Sequence, residues 1–447
     1  MACRVEAAPR KAHTTEDDRG RISKPARSRL RFLLILLCCS ALIASFEQPL
    51  GASRPKSTVT VLRMPREYGS NVGLASVSCV RTNSCIAVGV RTSTAVSSAQ
   101  SERPAILRFN GRDWRSMDSG FNHEAELDGV DCATATTCIA VGSYVGTSEQ
   151  SLPLVLRLQN GFWSVVPTPT PSFYLTDSTQ LRSVSCTRGK SCVAVGTDRG
   201  LGYARGLDPS TGIVMKQAAA GRWTLAPLLP LKPKVEPSSD GNVLLPTNNF
   251  DPTSLVAVSC TPALCVTGGP NRTFILRRNQ VSWTPVGGSP LTTNGITCPN
   301  TNHCIAVGSD GEGLSDHVEV STTTTIVEGP FGAQWMPTSS PSTKSASNTL
   351  NSVACYQPGS CVAVGAFIGA PLDDPGSAIK GGPIVSVRST GAWHLTPLRS
   401  TQSDAQENLA AVSCPAMHAC IAVGSATTDA QRIPSGPVQP LSVLIRH

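Results

Sequence analysis

A chain of 447 residues with 38 Gly, 34 Pro and only 15% charged residues has the composition of many short strands and turns, not of long helices. Its net charge of +8 is shared out along the chain, with 9 Lys/Arg against 5 Asp/Glu in residues 1–52 and 29 against 25 in the rest. A nucleic-acid binder needs a basic face able to neutralise several phosphates, so a near-balanced body argues against that class.

Residues 1–31 form a basic polar region that ends in Arg27, Arg29 and Arg31. They precede an apolar run from Phe32 to Cys39 that continues past Ser40 to Ala44. This is the layout of an export signal, and residues 32–52 are assigned as a signal peptide or a signal anchor. A spanning helix needs about 20 residues, so residues 30–46 nearly suffice as a membrane tether, and both cleavage and anchoring fit. Leu37 before Cys38 and Cys39 is too large for a lipoprotein signal. Positive charge ahead of the run sends the remainder out of the cytoplasm, where disulfides are allowed.

Residues 53–447 are expected to form one domain. Its first element is an alternating strand from Thr58 to Met64, ending at Pro65. Seven copies of one phrase follow, starting near residues 74, 127, 181, 255, 293, 350 and 409, such as LASVSCVRTNSCIAVG from Leu74 and LNSVACYQPGSCVAVG from Leu350. Each holds two cysteines: Cys79 and Cys85, Cys132 and Cys138, Cys186 and Cys192, Cys260 and Cys265, Cys298 and Cys304, Cys355 and Cys361, Cys414 and Cys420. First cysteines are 53, 54, 74, 38, 57 and 59 residues apart, so a unit of about 55 residues has room for four short strands.

Val and Ile flank a turn-rich loop between the two cysteines, which predicts a β-hairpin with its thiols face to face. Cross-strand Cα atoms about 4.5 to 5.5 Å apart lie inside the disulfide window. In six of the pairs five intervening residues are too many for a zinc-type Cys pair, only Cys260 and Cys265 stand one residue closer, and an odd number of pairs does not group by twos. Of the histidines, His13, His123, His317 and His447 lie outside the phrases, His394 sits in a later strand, and His303 and His418 are turn residues. No metal and no cofactor is expected. Cys3, Cys38 and Cys39 belong to the targeting region.

A second hairpin completes each unit, with an apolar strand, a turn usually carrying Gly, and a Trp that opens the last strand. All six tryptophans, Trp114, Trp163, Trp223, Trp283, Trp335 and Trp393, fall at this place, as expected for aromatic wedges between neighbouring sheets. After Gly424 the last unit supplies only one more strand. The strand from Thr58 is expected to complete it, with Val61 at the Trp position because Val61 to Pro65 matches the spacing of Trp163 to Pro167. The predicted fold is an all-β, seven-bladed β-propeller of four-stranded antiparallel blades, closed by the N-terminal strand.

The repeat resembles that of secreted bacterial repeat proteins of unassigned function, built on a VSC…CxAVG…NGxxW unit. The resemblance spans Thr58 to His447 and implies the fold without a ligand. The turn before Trp is also remotely similar to the Asp-box of sialidase-type propellers, Ser-x-Asp-x-Gly-x-x-Trp. Only Gly111 with Trp114 and Gly332 with Trp335 keep the Gly-x-x-Trp spacing, and Phe109 and Pro330 stand at the Asp places. There is no Trp-Asp dipeptide and no kelch Gly-Gly doublet closing each unit.

Variable loops gather on one face: the insertion 228–253 and the stretches 143–153, 197–212, 309–317, 366–383 and 425–440. Asp198, Arg199, Asp310, Glu312, Asp316, Asp373 and Asp374 are the charged candidates there. At the entry of each first strand stand Ala75, Asp128, Arg182, Val256, Asn294, Asn351 and Ala410, only two of them charged. The functional expectation is an extracytoplasmic monomeric scaffold that binds protein or glycan through the loop face. A propeller-type glycoside hydrolase and a structural envelope protein are the alternatives, and no catalytic residue is assigned.

Overall fold

The chain divides into two compact units, Met1–Pro55 and Lys56–His447. The computed structural model describes residues 57–65, 71–93, 101–147, 150–169, 176–187, 191–200, 211–218, 221–226, 254–269, 272–277, 284–286, 292–310, 323–329, 336–338, 340–343, 345–371, 380–389, 391–396, 398, 406–427 and 438–447. The targeting region, the insertion 228–253, Trp283 and Trp335 lie outside the described residues, as do Glu312, Asp316, Asp373 and Asp374.

Among the described residues every element is a strand, and the strands group by fours in chain order. In the first group Val72–Arg81, Ser84–Ser93, Ser101–Phe109 and Trp114–Ser116 pair antiparallel, each with the next. Units 2 and 3 share one eight-stranded sheet because Ser178 meets Ser151 in a single parallel step. The last group comprises Gln406–Ala416, Ala419–Thr427 and Val438–Arg446, and its fourth strand is Thr58–Val61 from the other end of the chain. The resulting all-β architecture is a β-propeller.

The register of that closing strand differs from the one the proline spacing predicts. Thr58 pairs with Arg446 and Val59 with Ile445, which lies opposite Cys420. In unit 1 the residue across from Cys85 is Phe109, and Trp114 pairs with Phe109. Val59, not Val61, therefore occupies the Trp place, and it packs on the core while Val61 is 47% exposed. Pro65 marks only where pairing has stopped, so its distance from the strand does not set the register.

All seven hairpins carry a disulfide between their two cysteines, with Cα atoms 4.0 to 4.2 Å apart. The strands continue into the five-residue loop, where Arg81 pairs with Ser84 and Gln357 with Ser360, leaving turns of two residues. In the chain-entropy model such short loops give roughly 2 kcal/mol per disulfide. The second hairpin turns on Asn160-Gly161, whose φ values of 53° and 88° suit the two-residue turn that the right-handed twist of the strands prefers.

Packing is between units. Trp114 is buried with Ala411, Ile421 and Val423 of the last unit, and its Nε1 donates to Ser442 Oγ at 3.2 Å. Trp163 lies among Ile86, Val88 and Ile106 of unit 1, Trp223 among Ile139, Val141 and Val155 of unit 2, and Trp393 among Ile305, Val307 and Ile326 of unit 5. Each indole thus reaches into the preceding unit. Ile106 and Val155 stand where Ser442 stands in the last unit, and the buried Nε1 atoms of Trp163 and Trp223 have no hydrogen-bond partner. First strands of consecutive units pack against one another from Val72–Arg81 onward, and Gln406–Ala416 packs against Val72–Arg81.

Candidate functional site

The site is built on a backbone irregularity that the repeat enforces. In six units the first strand shifts register over one extra residue, between Leu74 and Ser76, Leu127 and Gly129, Leu181 and Ser183, Thr293 and Gly295, Leu350 and Ser352, and Leu409 and Ala411. Opposite each of these bulges is the glycine that ends the AVG phrase. A Cβ on Gly89 would stand 2.0 Å from the Gly73 carbonyl oxygen, on Gly142 2.0 Å from that of Glu126, and on Gly196 1.9 Å from that of Gln180. Glycine is there because the partner backbone folds into the space a side chain would take.

The residues left over in the bulges are Ala75, Asp128, Arg182, Asn294, Asn351 and Ala410, and the polar ones reach the neighbouring unit. Asn294 Nδ2 donates to the Leu350 carbonyl at 3.1 Å, and Asn351 Nδ2 donates to the Leu409 carbonyl at 2.9 Å and to Asn408 Oδ1 at 2.7 Å. Asp128 and Arg182 form an ion pair at 3.7 Å. Gln180 Nε2 donates to Asp128 Oδ2 at 3.1 Å and also to Glu126 Oε1. Two carboxylates from one strand thus share an amide from the next unit, and Asp128 also meets its guanidinium.

Burial pushes the Asp128 carboxyl up to about 7, helped by the Glu126 charge and opposed by Arg182 and by the Gln180 hydrogen bond. Glu102 is raised by burial and by Glu126 and Glu124. The sector between units 1 and 3 therefore concentrates negative charge and holds a proton near neutral pH.

A second set of contacts was not legible as such. Inner strands expose one edge of unpaired N–H groups, and the serines of the VSC phrase cover it. Ser78 Oγ accepts from Cys132 N–H at 3.0 Å, Ser185 from Cys260, Ser259 from Cys298 and Ser413 from Cys79, each at 3.0 Å. Ser76, Ser183 and Ser352 accept from Val130, Val258 and Val412. Asp131 stands at the serine place in unit 2, accepts from Cys186 N–H at 2.7 Å and from Ser78 Oγ at 3.3 Å, and is raised by burial. The signal was the recurrence of Ser before Cys. Ala354 occupies this place in unit 6, so Ser185→Ala, which removes the bond from Cys260 N–H, is expected to cost about 1 kcal/mol in urea unfolding, the worth of one hydrogen bond, without altering the fold.

Of the loop-face carboxylates singled out from the sequence, Asp198 and Asp310 are among the described residues, and they stand in strands of different units. The second and third strands run further than expected, to Val145, Gly200, Asp310, Pro371 and Thr427, with the third strands resuming at Ser151, Thr211, Thr323, Lys380 and Val438. The predicted loops 143–153, 197–212, 366–383 and 425–440 are shortened accordingly, and 309–317 gives its first two residues to a strand, because the ladder continues beyond the glycine. Asp198 is consequently a strand residue, buried against Thr179, whose Oγ1 donates to it at 2.8 Å, and burial raises it. Asp310 pairs in a strand with Thr323. Among the described residues no three His, Cys, Asp or Glu side chains group as a metal site.

No family model matches the chain, and no curated protein matches it. Solved structures similar to it include YCF48 bound to D1 peptide, at 11% identity and a TM-score of 0.48 over 89% of this chain and 96% of that one. YCF48 from Cyanidioschyzon merolae is similar at 13% identity and 0.49, over 87% and 98%. U3-55K is similar at 12% identity and 0.49, over the same shares.

Proposed function

We propose that this chain is an extracytoplasmic scaffold, a closed ring of seven disulfide-pinned blades that binds a protein partner on the face bearing the loops and the bulged strand entries. One observation carries the reading: the frame repeats and that face does not. Cysteines, glycines and inter-unit serines recur from unit to unit, while the bulge position alone runs through Ala75, Asp128, Arg182, Asn294, Asn351 and Ala410. A rigid frame presenting non-repeating polar groups is the usual layout of a recognition surface. Seven disulfides fit an oxidising compartment, which residues 32–52 would reach as an export signal or anchor. Glu126 and Asp128 are already engaged by Gln180 and Arg182 in holding units together, which favours a scaffold over a hydrolase.

The test is site-specific photocrosslinking in the exported protein. A benzoylphenylalanine at Gln150 or Asn408, on the loop face, is expected to give discrete protein adducts, whereas one at Phe162 or Met417, on the disulfide face, is not. Adducts confined to the disulfide face would overturn the assignment.

A further inference from the structure

On the disulfide face the hairpin turns of units 6 and 7 meet the end of the last blade. His418 stands in the turn Met417-His418, between the paired Ala416 and Ala419, and is exposed. His447 follows Arg446, the last residue of the strand Val438–Arg446. The two imidazoles pack edge to face, with ring centroids 5.9 Å apart and planes at 74°.

Neither histidine belongs to the repeated frame. The place of His418, two residues before the second cysteine, is Asn83, Thr136, Lys190, Ala263, Asn302 and Gly359 in the other units. The place of His447, two residues past the partner of the second cysteine, is Gly111 in unit 1 and Asn160 in unit 2, where positive φ turns the chain into its fourth strand. In the last unit that strand is Thr58–Val61, so the place is released from turning and accepts a ring.

The hydrogen bonds fix which nitrogen of His447 is bare. Ser360, buried in the unit 6 turn, donates its hydroxyl proton to the Met417 carbonyl at 2.7 Å. Its oxygen is left to accept from His447 Nε2 at 3.2 Å, which puts the ring proton on Nε2 and a lone pair on Nδ1. Nδ1 is buried and has no hydrogen-bond partner. Burial and the His418 charge hold the His447 pKa below its ordinary value, so the ring is neutral at neutral pH. An imidazole that donates from one nitrogen to a fixed acceptor and keeps an unused lone pair on the other is oriented as a metal ligand is.

We infer that His418 and His447 form a two-histidine site for a divalent transition-metal ion, with water completing the coordination on the exposed His418 side. Metal–nitrogen bonds of about 2.1 Å place two bridged imidazole centroids about 5 to 6 Å apart, which the observed spacing matches. Neutral imidazoles select zinc, copper or nickel over calcium and magnesium, which take oxygen ligands. Among the described residues no third His, Cys, Asp or Glu joins the pair, so the ion is exchangeable and not a closed structural centre. The site lies away from the loop face and does not depend on what binds there.

The experiment is isothermal titration of the exported chain with zinc chloride, beside magnesium chloride. Zinc is expected to bind and magnesium is not. His418→Gln changes an exposed turn residue, and it and His447→Gln should each weaken zinc binding at least tenfold while melting, without zinc, at the wild-type temperature. Ser360→Ala leaves the His447 ring unoriented and should weaken it about tenfold as well. His394→Gln removes an exposed imidazole elsewhere and should change nothing. No zinc binding by the wild type, wild-type affinity in both His418→Gln and His447→Gln, equal loss in His394→Gln, or equal binding of magnesium would each overturn the inference.

Discussion

Replacing Gly142 by alanine is expected to cost more than about 3 kcal/mol, among the largest effects of a single methyl group anywhere in this domain. The new Cβ would lie 2.0 Å from the Glu126 carbonyl oxygen and 2.8 Å from Leu127 Cα. Both are backbone atoms in a strand paired on one side and packed on the next unit, so no side chain can swing aside. The bulge would have to flatten, carrying Asp128 out of reach of Gln180 and Arg182. Gly73→Ala is the matched control, because a Cβ there meets nothing within 4 Å and its φ is not in the left-handed region. Comparison of urea midpoints for the two variants checks this. Near-equal midpoints would mean that the carbonyl does not fold against Gly142.

A second large effect is expected in the pH dependence of stability. Asp128 has an ordinary value near 3.8 when the chain is unfolded and about 7 in the folded protein. The fold therefore prefers the protonated acid, and the associated stability is fully present below about pH 4 and lost as pH rises through 7. A rise of that size corresponds to about 4 kcal/mol, an upper figure for a side chain that keeps some contact with solvent. Asp128→Asn keeps an acceptor for the Gln180 amide and removes the charge. The variant is expected to match the wild type at pH 4 and to exceed it by several kcal/mol at pH 8. A difference that stays constant between those pH values would show that Asp128 titrates as an ordinary carboxylate. Glu102 and Asp198, both raised by burial, add to the wild-type trend in the same direction.

Both effects arise from positions the repeat marks plainly without saying why. The AVG glycine recurs from copy to copy, yet its necessity appears only when the opposing strand is seen to bulge. Asp128 and Arg182 stand at corresponding places in consecutive units, 54 residues apart, and the sequence offers them as two isolated charges. Stacking turns them into an ion pair and adds Gln180 and Glu126, which no motif singles out. The Trp place in the closing strand falls at Val59, two residues from the predicted Val61, for a related reason. A strand arriving from the far end of the chain has its register fixed by Ile445 and Cys420, not by the proline that follows it.

What the sequence determined by itself is the content of each unit: four strands, a cysteine-closed hairpin, a tryptophan opening the last strand, and a lone N-terminal strand to finish the set. These are contacts between residues close along the chain, where turn chemistry and two-residue periodicity leave few arrangements. What only the tertiary structure decided is what passes from one unit to the next, namely the serine bonds to cysteine N–H groups, the contacts of Asp128 with Arg182 and Gln180, and the asparagine bonds made by Asn294 and Asn351. Those contacts join residues some 40 to 75 positions apart, or the two ends of the chain, and which side chains meet is set by how twisted sheets stack, a quantity that local pattern does not carry.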